Sequence, residues 1–161
     1  MATQQVPRPH PDAQALAVEL TKAALNRVAP EELVVFDESA AEYFADPAAA
    51  VRGDEDAPLG SGIEVVMFTP YLLSAASVVL PILGEIVKGL VTDVAKEPLS
   101  AVVRRLIKRH PAEPPGVIAL DGGQAARVRQ AVVDQCYRAG LESTQAALIA
   151  DATIGSLHVR P

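Results

Sequence analysis

Apolar residues recur along most of this chain at the three- and four-residue spacing of a helix face, and the polar residues between them mark helix starts and stops. Leu16, Leu20, Ala23 and Ala24 predict a first amphipathic helix over 13–28, with Asp12 as its N-cap and Pro30 just past its end. The run from Leu33 to Phe36 is too short for periodicity to separate a helical turn from a strand. Asp37 then caps a short helix carrying Ala40, Tyr43 and Phe44, which Asp46-Pro47 ends. Residues 46–62 hold Asp54-Glu55-Asp56, two prolines and three glycines, a composition that predicts an acidic loop.

The pattern changes in residues 63–97. Residues 65–84 contain no Asp, Glu, Lys, Arg or His, a stretch long enough to be a transmembrane candidate. Thr69-Pro70 reads as an N-cap followed by the first helical residue, and Pro81 predicts a break. Two helical pieces follow, 70–80 and 81–97. The first is apolar all round and includes Leu72, Leu73 and Val79. The second is amphipathic, with Ile82, Leu83, Ile86, Val87, Leu90 and Val94 on one stripe and Glu85, Lys88, Asp93 and Lys96 elsewhere. Insertion into a bilayer gains about 3–6 kcal/mol from the apolar residues of 65–84, which Pro81 and the polar set Thr69, Tyr71, Ser74 and Ser77 largely offset. Burial in a protein core, or at an interface between chains, is therefore the leading expectation and membrane insertion the alternative.

Pro98 opens a further helix in which Leu99, Val102, Val103, Leu106 and Ile107 form an apolar stripe and Arg104, Arg105, Lys108 and Arg109 lie opposite. That basic face suits a solvated bundle surface, a contact with acidic residues, or an anionic lipid surface. His110 to Gly116, with three prolines, predicts a stiff linker. Beyond it, Val117 to Leu120 reads as a short extended segment. A helix over 123–139 presents Ala125, Val128, Val132 and Cys136, Gly140 is its C′ residue, and Ser143 caps a last helix that Gly155 stops. The predicted fold is mainly α: a helical bundle with a central apolar helix pair and a C-terminal helical hairpin, with a few short strands. Its parts are a tail at 1–11, a helical domain at 12–110 and the hairpin at 111–161.

With 161 residues and half of them hydrophobic, the chain can build a sizeable core, although only 4% are aromatic and Trp is absent. The net charge of −6 is uneven: residues 1–62 hold eleven acids against four bases, whereas 63–110 hold four against six. An acidic chain with one short basic cluster lacks the footprint that phosphate neutralisation along a nucleic acid requires. Cys136, Gly140, Leu141, Ala146 and Ile149 follow the spacing of a helix-turn-helix, yet the last helix offers Ser143, Thr144 and Gln145 without a base, so an ordinary αα-hairpin is expected. The single cysteine excludes an intramolecular disulfide, and the N-terminus lacks the basic and apolar regions of a signal peptide, which points to the cytoplasm, with inner-membrane association as the alternative.

Catalytic chemistry has little to stand on. His10, His110 and His158 are not at metal-ligand spacing from one another or from a carboxylate, and no nucleophile elbow, phosphate loop or dinucleotide motif occurs. Asp54-Glu55-Asp56 lacks the glycine and terminal glutamate of a calcium loop, Gly60-Ser61-Gly62 lacks a lysine partner, and Cys136 reads as a small core residue. No catalytic residue, metal, cofactor or small-molecule substrate is expected. The segments Ala41 to Pro47, Pro58-Leu59-Gly60, Thr69-Pro70-Tyr71 and Ala147 to Ala152 resemble a pattern in small uncharacterised helical proteins of GC-rich bacteria. That resemblance implies an accessory component, such as one of a bacterial conflict or defence system, and carries no site. The expected function is that of a non-enzymatic interaction or adaptor protein that binds a protein partner or itself. The alternative is a membrane-associating protein using residues 65–109. The surface expected to serve either role comprises Leu72, Leu73, Val79, Ile82, Ile86 and Leu90 with Arg104, Arg105, Lys108 and Arg109.

Overall fold

The computed structural model describes residues 11–52, 67–90, 98–108 and 118–161. Among them the chain forms a helical bundle: α1 (Pro11–Val28), a 310 turn (Pro30–Val35), α2 (Phe36–Ala45), α3 (Pro47–Arg52), α4 (Thr69–Leu90), α5 (Leu99–Arg104), α6 (Gly122–Arg138) and α7 (Ser143–Gly155). No strand occurs among the described residues, so the mainly α reading holds. The N-terminal tail to residue 10, Asp54-Glu55-Asp56, residues 91–97, Arg109 and the proline-rich linker from His110 to Gly116 lie outside the described residues.

Helix α4 is the hub. Leu72, Leu73, Ala75, Ala76, Val79, Leu83 and Val87 are almost completely buried, in one core with Leu20 and Leu25 of α1, Val128 and Val132 of α6, and Ile149 of α7. Small residues at 74–77 let neighbours approach, and the Ser74 hydroxyl accepts a bond from Gln135 Nε2 of α6 at 2.7 Å. Thr69–Gly89 is long and apolar enough to cross a membrane, with mean hydropathy 1.7, but 56% of its most apolar window is buried, as in the core helix of a soluble bundle. The C-terminal hairpin contributes to the same core as α1 and α4.

Several local expectations are corrected. Helix α4 is continuous through Pro81 rather than two pieces, because packing on both sides of the proline outweighs the loss of one backbone donor. The run after Pro30, left open between a helical turn and a strand, is a 310 turn, whereas 47–52 is helix α3 rather than loop. An exposed cap explains the latter: Asp46 Oδ1 accepts from Ala49 N at 3.2 Å. Asp12 and Asp37 lie inside the first turns of α1 and α2 instead of capping them, and Ser143 is the first residue of α7, with Glu142 before it. The basic helix ends at Arg104, not at 109, since Ile107 leaves the helix to pair with the C-terminal segment.

That segment replaces the expected short strands with two isolated bridges, Ile107 to Leu157 and Leu120 to Val159. His158 N donates to Leu106 O and Lys108 N to Ser156 O, while Leu120 N donates to His158 O, all at 2.8 Å. Residues 156–160 are thus stitched between the end of α5 and the approach to α6, with Leu157 fully buried. The hairpin itself is as predicted. Asp121 and Gln124 form a reciprocal capping box at the start of α6. At its end Gly140 takes φ +87°, Gly140 N donates to Tyr137 O and Leu141 N to Cys136 O, both at 3.0 Å, the two bonds of a Schellman ending.

Candidate functional site

The entry of the chain into α4 sets the geometry of one side of the bundle. Glu32, in the 310 turn, is buried, and its carboxylate accepts three bonds from the start of α4: Phe68 N at 2.7 Å, Thr69 N at 2.9 Å and the Thr69 hydroxyl at 2.6 Å. A helix N-terminus has backbone donors without partners and a partial positive charge, and this carboxylate answers both. Glu32 therefore does what Thr69 was expected to do. Nothing near Glu32 in the sequence signals it, because its partners lie 36 and 37 residues away.

With α4 fixed there, α1, α2 and α5 leave a groove of about 830 Å³ between them. Leu73, Leu80 and Gly84 of α4 lie along it, with Leu16 of α1, Phe44 of α2 and Leu99 of α5 among the walls. Exposed polar residues of both signs, Asp12, Glu85 and Lys88, also line it. Glu85 is held by Arg127 Nη2 at 2.7 Å. Ser77 and Pro81 are both groove residues, and a proline has no N–H to donate to the Ser77 carbonyl one turn earlier. An open trough of this size, mainly apolar with few polar groups, has the character of a binding site.

The expected surface residues divide. Leu72, Leu73, Val79 and Ile86 are buried within the chain itself, and of these only Leu73 borders the groove. Ile82 is half-buried against the core, Leu90 ends α4, and Arg109 lies outside the described residues. Arg104 Nε bonds both carboxylate oxygens of Glu19 on α1, at 2.8 and 3.1 Å, the pairing of a base with the acidic N-terminal part that the sequence offered as one option. Arg105 is exposed and Lys108 half-buried. The groove walls Leu16, Phe44 and Leu99 were legible only as members of separate amphipathic helices.

Cys136 is buried on α6, and burial pushes its thiol from 9.0 up to about 11. At pH 8 about one molecule in a thousand then carries the reactive thiolate. The native protein is expected to resist thiol-directed alkylation at that pH and to label fully once unfolded; rapid native labelling would show the thiol to be accessible. Cys136, Leu141, Ala146 and Ile149 all face the core, as an αα-hairpin requires. Among the described residues no three His, Cys, Asp or Glu side chains gather as a metal site would. No protein-family model matches the chain, and no curated protein or solved structure matches it either.

Proposed function

We propose that the chain is a non-enzymatic interaction protein that receives the apolar face of an amphipathic helix from a protein partner in the groove between α1, α2, α4 and α5. The groove carries this reading. The part of α4 that lines it, from Leu73 to Lys88, is about 22 Å long, which suits several turns of a helix better than a compact small molecule. Both signs of charge among its exposed residues fit the polar flanks of such a helix, and Leu99, 40% exposed beside the groove, is an available apolar anchor. Membrane association through residues 65–109 is the weaker reading, since Leu72, Leu73, Leu83 and Val87 could meet lipid only if the bundle opened.

Site-specific photo-crosslinking in the source cell tests the proposal. A benzophenone side chain at position 99 is expected to give a discrete protein adduct, and one at Gln130, exposed on α6, none. Leu80→Asp, at a half-buried groove position, should reduce the adduct at least about tenfold while the chain stays folded. An adduct of twice the chain's mass would identify a second copy as the occupant. Equal labelling from both positions, or none from 99, would reject the groove as a docking site.

A further inference from the structure

On the side of α1 that holds Glu19, a second pocket of about 250 Å³ lies between α1 and the end of α5, lined by Glu19, Lys22, Asn26, Arg104 and Lys108 with Ala23 and Ile107. Three basic residues and one acidic residue line it, a local surplus of two positive charges in a chain whose net charge is −6. Glu19 is already engaged by Arg104 Nε, which orients the guanidinium and leaves both of its terminal amino groups outside that pair. Neither Lys22 nor Lys108 has a carboxylate partner among the described residues; the Lys22 ammonium lies 5.1 Å from the centroid of the Phe36 ring. Asn26 adds an uncharged donor.

From this set we infer that the pocket binds a phosphate monoester. A guanidinium presents paired donors to phosphate oxygens, lysines add point charge, and a dianion matches a surplus of two charges where a carboxylate would meet half of it. The volume admits a phosphate and the first atoms of the group that carries it. Two sources share this chemistry, a soluble phosphate and the headgroup of phosphatidic acid. The site is separate from the groove, so either proposal can fail without the other.

The test uses the full chain, isotope-labelled, titrated with inorganic phosphate at constant ionic strength and with chloride as the reference anion. In parallel, it is floated with phosphatidylcholine vesicles with and without phosphatidic acid. Lys22→Gln and Lys108→Gln are each expected to weaken binding about tenfold, whereas Lys88→Gln, a cation beside the other pocket, leaves it unchanged. Saturable shifts at Lys22, Asn26, Arg104 and Lys108 with phosphate support a soluble ligand. Flotation dependent on phosphatidic acid, without those shifts, supports the headgroup. Binding of neither probe overturns the inference, as does an equal response to chloride or an equal loss in Lys88→Gln. Thermal denaturation of each variant separates lost binding from lost fold.

Discussion

Leu83→Ala is expected to lower the stability of the isolated chain by about 3–5 kcal/mol, the cost of deleting a buried leucine and leaving a cavity. Leu83 is fully buried in α4, one helical turn from Val79 and Val87, which are also buried. A domain of this size has a total stability of roughly 5–15 kcal/mol, so a melting temperature lower by about 10 °C or more is expected by thermal denaturation. Leu148→Ala provides the contrast: Leu148 is 46% exposed on α7, and its truncation should cost less than about 1 kcal/mol. If Leu83 instead faced lipid or a partner, its truncation would barely move the melting temperature of the chain alone.

Glu32→Ala should cost about 3 kcal/mol, through a different mechanism. The substitution strands Phe68 N, Thr69 N and the Thr69 hydroxyl, all of which now donate to the carboxylate, and it removes the negative charge at the start of α4. Glu32→Gln keeps an acceptor oxygen and loses the charge, so a smaller loss is expected. Thr69→Val deletes one donor, and a double-mutant cycle between Glu32 and Thr69 should return a coupling of about 1–2 kcal/mol in chemical denaturation. Strict additivity of the two substitutions would mean that the carboxylate does not act as the long-range cap. The groove lies along the helix that this cap anchors, so the proposed partner capture should weaken in Glu32→Ala as well.

What could be read from the sequence was what neighbouring residues decide among themselves. The stripe Leu16, Leu20 and Ala24 needed only helical spacing, and Gly140 needed only its place between two periodic runs; both fell where expected. Features settled by distant partners were not legible. Pro81 suggested two helices because local geometry penalises proline, and packing on both sides carried α4 through it. The basic helix looked longer than α5 because its apolar stripe continues through Ile107, which is buried as expected but in a bridge to Leu157 fifty residues later. Arg104 and Lys108 were marked as charge, but Lys22, the third cation around their pocket, comes from another helix. The groove is likewise a property of four helices, and no single stripe announces the gap between them.

Amide hydrogen exchange on the full chain in detergent-free buffer, resolved along α4, is the most direct measurement. The fold makes the most apolar helix the centre of the chain's own core, with an open groove beside it. The amides from Leu72 to Leu83 should then exchange only through global unfolding, at a free energy equal to that from denaturant melting. Exchange of these amides within seconds in buffer, with protection appearing only on addition of lipid, would contradict a self-contained core and transfer the function to the membrane.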